Sequence, residues 1–172
     1  MLIEPEHLSP VQIRPMQIND WRSYRDMRIE LLLSHGSSNV DPERFASRID
    51  EDWYADLEEN LQDAQRRRFI AEVEGQQVGM VGVFPHDDRM QIGGLYVRPE
   101  FRSRNIASVL MVKSEEFAKM NVNEAELWVS TGIPDVRKWY ERQGYVPTAP
   151  RTTEAWWNGE NIENELLIKT LI

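Results

Sequence analysis

The chain has 172 residues, 41% of them hydrophobic and 28% charged, which is the size of one domain with a real core and the composition of an ordinary globular protein. Its formal net charge of −9 excludes general nucleic-acid binding, which depends on Lys and Arg neutralising phosphates, so an anion site has to be a local basic patch. There is no cysteine, which removes disulfides, thiolate metal sites and a cysteine nucleophile, and His7, His35 and His86 stand at no metal-ligand spacing, so no metal is expected.

In chain order, "MLIEPEHLSP" carries acidic residues and prolines where a secretory signal has a basic and then an apolar run. No stretch approaches the roughly 18 apolar residues that span a bilayer, so a cytoplasmic location is expected and no membrane partner. Residues 11–16, "VQIRPM", form a first strand. Asp20 is the expected N-cap of a first helix, in which Tyr24, Met27, Arg28 and Leu31 recur at helical spacing and Gly36 follows the end. Residues 41–61 read as a second helix, acidic over "DEDWYADLEEN". "RRFIAEVEG" and "QQVGMVGVF" are β-rich runs joined at Gly75 as a hairpin, and residues 89–97, "RMQIGGLYV", are the third strand of the meander.

That third strand breaks parity. Met90 and Ile92 share one face, whereas Leu95 and Val97 are an odd number of residues away from them. Period-two geometry brings all four to one side only if a residue is inserted, and Gly93-Gly94 lies where the insertion is needed, which predicts a β-bulge. A helix follows over residues 105–120, with Ile106, Val109, Leu110, Phe117 and Met120 on its apolar stripe. Residues 124–130, "EAELWVS", come after a helix and so are expected parallel to the strand before it. "IPDVRKWYERQGY" opens a short helix at Pro134 and closes it at Gly144, and Asn158-Gly159 in the tail marks a last hairpin. The expected order is β-α-α-β-β-β-α-β-α-β-β, an α/β chain with a mixed sheet and helices on its faces, as one domain over residues 1–172. No internal repeat or linker interrupts it.

The chemistry concentrates at the strand-to-helix junction "VRPEFRSRNIASVL". It contains neither a P-loop nor a dinucleotide fingerprint. The first N–H groups of the helix lack intrahelical partners, and with the helix dipole, Arg102 and Arg104 they suit a phosphate or pyrophosphate. Alone, such a junction equally caps an ordinary helix.

Together with "KWYERQGY" some thirty residues on, the segment resembles the GNAT superfamily of acyl-CoA-dependent N-acetyltransferases. That family's pattern V-x-P-x-x-R-G-x-G-I-G/A-x-x-L is matched by Val97, Pro99, Arg102, Ile106, Ala107 and Leu110, and Y-E-x-x-G-F/Y by Tyr140, Glu141, Gly144 and Tyr145. "IRPMQINDWRSYRDMR" is similar to the family's first strand and helix. Ser103 and Asn105 stand where the family has glycine, and Ile133 where many members have an asparagine that helps hold the cofactor arm.

The resemblance implies a GNAT-like fold with a splayed pair of parallel strands, acetyl-CoA as acyl donor, and direct attack by a primary amine in a ternary complex. It implies Tyr140 as the catalytic acid, and Leu95, Tyr96, Val97, Arg102, Ser103, Arg104, Asn105, Ile106, Ala107 and Ser108 as cofactor-binding residues. The pyrophosphate would lie on the N–H groups of residues 102–107, with the pantetheine against the backbone of Leu95 and Val97. His35, His86, Asp87 and Asp88 are the available base residues, none singled out. "SHGSSN", "DEDWYADLEEN" and "AWWNG" are expected acceptor linings, and an acidic wall suits a cationic small-molecule or peptide amine. A non-catalytic acyl-CoA sensor and a structural interaction domain are the rival readings, with a monomer or homodimer in any case.

Overall fold

The structure is a computed structural model that describes residues 9–35 and 40–172, with the backbone alone for His35. His7, Gly36 and most of "SHGSSN" therefore lie outside the described residues. The first strand, β1 (Val11–Pro15), leads into a short 3-10 turn (Ile18–Asp20) and helix α1 (Trp21–His35). Next come α2 (Pro42–Ala46), α3 (Asp50–Gln62) and the meander β2 (Arg67–Val73), β3 (Gln76–His86) and β4 (Arg89–Val97). A 3-10 turn (Pro99–Phe101) precedes α4 (Ile106–Lys119), which is followed by β5 (Glu124–Ser130), α5 (Pro134–Arg142), β6 (Val146–Ala155) and β7 (Asn161–Thr170).

The strands form one mixed sheet in the order β1-β2-β3-β4-β5-β7-β6, antiparallel except where β4 meets β5 in parallel. Each face carries its own core. On one, Val81, Val83, Ile92, Val97, Leu127 and Leu167 pack against Ile106, Leu110, Met111 and Phe117 of α4. On the other, Ile70, Met80 and Tyr96 meet Tyr24 and Met27 of α1 and Trp53 and Leu57 of α3. Fully burying an aliphatic or aromatic side chain contributes about 1.5–3 kcal/mol, so these two layers clamp the sheet from both sides.

Three local expectations change. Asp20 does not cap α1 from outside; it closes the 3-10 turn that runs into the helix, and it is buried. Its carboxylate accepts from Arg14 at 2.7 and 2.8 Å, from the Gln17 N–H at 2.7 Å and from the Gln77 amide at 2.7 Å. The stretch expected as one helix over 41–61 is two, because Ser47 ends α2 and Ile49 is extended. The break lets Phe45 stand edge-on to Trp53 at 4.7 Å, with the Arg48 guanidinium over both rings and bonded to Asp56 at 2.7 Å. Met120 is 74% exposed, since it caps the end of α4 and falls outside the arc of Ile106, Leu110, Met111, Ser114, Phe117 and Ala118.

The bulge is where parity put it. Gly82 pairs with Gly93 but Met80 with Tyr96, so two steps along β3 match three along β4. Gly94 takes φ +64, a left-handed conformation that costs glycine little. As a result Met90, Ile92, Leu95 and Val97 all serve the α4 face, while Tyr96 turns to the α1 face.

Candidate active site

Strands β4 and β5 begin as neighbours and then part. Met90 pairs with Ala125 and Gln91 with Glu126, and there the parallel ladder ends although both strands continue. On the β3 side, the Arg98 N–H donates to the Val78 carbonyl at 2.8 Å and Tyr96 stands opposite Met80. Backbone groups alternate sides along a strand, so those of Leu95 and Val97 face the gap. An edge of this kind can accept an extended ligand as an added strand.

The gap opens a cavity of about 650 Å³ that passes through the sheet. Ala107 of α4 with Trp139 and Tyr140 of α5 wall it on one face, and Arg28, Leu31 and Leu32 of α1 on the other. Between them lie Ile92, the bulge and Leu95–Val97 from β4, and Leu127, Trp128 and Ser130 from β5.

The junction closes one end of the slot. Ser103 has φ +70 and Asn105 φ +60, so both residues that replace the family glycines take the left-handed conformation. Asn105 is the N-cap of α4, yet its side chain makes no capping bond, and its carbonyl accepts the Val109 N–H at 3.2 Å. The N–H groups of Ile106, Ala107 and Ser108 are thus the unpaired donors of a helix N-terminus. Arg102 folds back, its Nε donating to the Val97 carbonyl at 2.9 Å with the guanidinium 5.8 Å from the centre of the Tyr96 ring, and it lines the cavity. Arg104 instead covers Phe101 at 5.3 Å. Backbone donors, two glycine-like turns and a half-committed arginine are the kinds of group that hold phosphates elsewhere.

Tyr140 sits on α5 at the cavity wall, edge-on to Trp139 at 5.0 Å and to Tyr145 at 6.1 Å. Its hydroxyl has no hydrogen-bond partner among the described residues, and burial pushes its pKa up to about 12. Tyr145 is fully buried and its hydroxyl donates to Glu115 at 3.1 Å; burial first and then Glu115 raise its pKa. The two tyrosines of the second motif therefore differ in kind: one hydroxyl is tied, the other is free at the slot.

Ile133 lines the cavity as the N-cap of α5 and offers no side-chain cap. The other expected residues lie elsewhere. His86 Nδ1 is 2.6 Å from Oε1 of the buried Glu126, and His86, Asp87 and Asp88 are not among the residues that line the cavity. Asp50, Glu51 and Asp52 are exposed at the start of α3, with Asp50 bonded to Arg25 at 2.7 Å, and the tip of the β6–β7 hairpin does not reach the cavity either. Arg28, Asp135 and Asn164 line it without having been singled out in the sequence. Arg28 carries a weak signal, as a cation on the helical stripe that faces the sheet.

Known proteins show the family and the fold. The chain belongs to the acetyltransferase (GNAT) family, whose model matches residues 32–145. An uncharacterized N-acetyltransferase of Archaeoglobus fulgidus is 35% identical over 82 residues, 43% of this chain and 56% of that protein, so the match spans little more than half the length of the relative. Among solved structures, a GNAT-family acetyltransferase from Streptococcus pneumoniae superposes with a TM-score of 0.79 at 14% identity, over 95% of this chain and 100% of the other. A spermidine N-acetyltransferase from Vibrio cholerae in complex with CoA and spermine gives 0.76 at 16% identity, over 94% and 95%. A ribosomal-protein-alanine N-acetyltransferase from Brucella melitensis gives 0.77 at 18% identity, over 93% and 99%. At such identities the likeness is one of fold.

Proposed function

We propose that this single-domain protein transfers an acetyl group from acetyl-CoA to a primary amine by direct attack in a ternary complex. The observation that carries this reading is the parting of β4 and β5 beyond Gln91 and Glu126, which turns the Leu95 and Val97 backbone into a slot ending at the α4 N-terminus. The N–H groups of Ile106, Ala107 and Ser108, with Ser103, Arg102 and Arg104 around the turn, would hold the pyrophosphate, and Leu95–Val97 the pantetheine. Bound acetyl-CoA supplies the acyl group as an activated thioester.

The rest falls to the chain. An alkyl amine, with a pKa near ~10.4, attacks only when neutral, and after attack its nitrogen must lose a proton while the departing sulfur gains one. Tyr140 Oη stands free at the slot and stays protonated throughout the physiological range. With burial raising its pKa, the phenol holds its proton more tightly than an ordinary tyrosine and does not give it up outright to a thiolate. Its role is a relay: Oη donates to the sulfur and takes up the proton shed by the nitrogen, which leaves the phenol unchanged. The relay handles the proton shed after attack; the one that the ammonium form loses beforehand passes to water, since His86, Asp87 and Asp88 do not line the cavity.

A thiol-release assay with acetyl-CoA across a panel of amines tests the proposal, paired with the thermal shift on adding CoA. Wild type releases thiol with at least one amine. Tyr140→Phe lowers kcat about 100-fold, the scale of general acid–base catalysis, with an unchanged CoA shift. A CoA shift with no turnover on any amine would point instead to a sensor, a reading that Ile133 in place of asparagine favours.

A further inference from the structure

Several arginines around this sheet and its helices are matched by carboxylates: Arg14 by Asp20, Arg48 by Asp56, Arg89 by Glu124 and Arg98 by Glu30. Arg28 and Arg68, on the α1 face, have no such partner and each keeps a buried Nε without a hydrogen bond. Arg28 of α1 lines the cavity, its Nη1 3.5 Å from where a Cβ on Gly94 would stand, and its buried Nε has no hydrogen-bond partner. Arg68 of β2 lies over Gly82, its Nη1 3.0 Å from the Cβ position there, and its Nε is likewise buried and unpartnered. Gly82 is paired with Gly93, next to the bulge, so missing side chains leave the floor on which these guanidiniums rest.

Among the described residues, no carboxylate forms an ion pair with either of them. Arg28 is 5.6 Å from the Phe45 ring centre and Arg68 is 4.8 Å from that of Tyr24, contacts that offset only part of the cost of taking a cation out of water. Asp56, which faces Arg68, is already bonded to Arg48 at 2.7 Å. Burial first, and Arg28 among the neighbouring charges, lower the pKa of Arg68. In a chain of net charge −9, two like charges left together without a counter-ion are an arrangement that an anion would complete. They stand on the α1 face, across the sheet from the α4 N-terminus, so the phosphate end of the donor slot is not what they serve.

We propose that Arg28 and Arg68 form an anion subsite for the acceptor, which makes the acceptor an amine that also carries a carboxylate or phosphate group rather than a polyamine. The inference rests on the acetyltransferase reading above and assigns the acceptor half of the same cavity; Arg28 lines it, whereas Arg68 is not among its lining residues and adds its charge beside Arg28. One carboxylate, Asp135, lines the cavity from α5, whereas the guanidiniums lie on the α1 face, where they repel a cation and orient an anionic amine with its nitrogen toward the bulge.

The test is thiol release on matched amines: amino acids against their carboxamides, phosphoethanolamine against ethanolamine, and spermidine. Wild type prefers the anionic member of a pair by about tenfold or more in kcat/KM, the scale of one charge-assisted hydrogen bond. Arg28→Met abolishes that preference while the CoA thermal shift stays, and Arg28→Lys retains part of it. The carboxylate and phosphate pairs show which anion is taken. Arg68→Met also loses the preference, yet melts about 3 °C or more above wild type without ligand, because an uncompensated cation has been removed. Equal turnover of both members, a preference for spermidine, a preference that survives Arg28→Met, or a lower melting point for Arg68→Met would each overturn the subsite. If no amine reacts, the transferase reading fails on its own. The subsite is then decided by inorganic phosphate added to CoA-saturated protein, which raises the melting temperature of wild type and not of Arg28→Met if the subsite exists; no rise in wild type overturns it.

Discussion

Ser103 and Asn105 carry the junction in place of two glycines, and both pay for it in backbone strain. With φ at +70 and +60 they occupy a region in which an L side chain costs roughly 1–2 kcal/mol, less for asparagine. Ser103→Gly should therefore stabilise the protein by about 1 kcal/mol with CoA binding kept, whereas Asn105→Val should destabilise it by about 1–2 kcal/mol and weaken CoA. Denaturant titration with and without CoA reads both. The left-handed turn was legible in the sequence because asparagine tolerates that conformation and the residues around it match the family pattern. Arg28 and Arg68 were not legible as a pair. Their meaning comes from what they lack, and a missing counter-ion is a property of packing, invisible when one residue sits on a helix and the other on a strand forty positions later.

Among the elements, the bulge could be read from parity alone, since Met90, Ile92, Leu95 and Val97 can share a face in no other way. The division between α2 and α3 could not, because apolar spacing continues through Ser47 and Ile49 and only the Phe45–Trp53 contact shows why the chain turns. The 3-10 turn before α1 was hidden for a similar reason: Asp20 has the sequence signature of a cap, but its carboxylate is drawn inward by Arg14. That network has a pH dependence. Burial alone would raise the Asp20 pKa, but Arg14, the Gln17 N–H and Gln77 outweigh it and hold it below the usual carboxylate value. The stability it contributes is present above about pH 4, the unfolded value, and is lost as pH falls through the lowered folded one. Asp20→Asn should cost about 1–3 kcal/mol at neutral pH and flatten the acid limb of the melting curve. An unchanged acid limb would place that sensitivity in other carboxylates.

On the scale of the molecule, one sheet is clamped between two helical layers and opened at a single seam. The seam needs three things that the sequence supplies far apart: a glycine bulge that bends β4, a crossover through α4 that makes β5 parallel, and β7, which pairs with β5 on its other side and fixes it. The fold was largely legible because each element keeps its own periodicity, and the candidate donor half of the site could be read because its residues are contiguous. The proposed acceptor half draws on Arg28 of α1 at the cavity and Arg68 of β2 beside it, and only the folded chain brings these together. Hydrogen exchange at the Leu95 and Val97 amides, with and without CoA, tests the seam most directly. If the cofactor arm adds to β4 as a strand, exchange at these residues slows on CoA binding; if CoA binds while their exchange is unaltered, the gap between β4 and β5 is not the donor site.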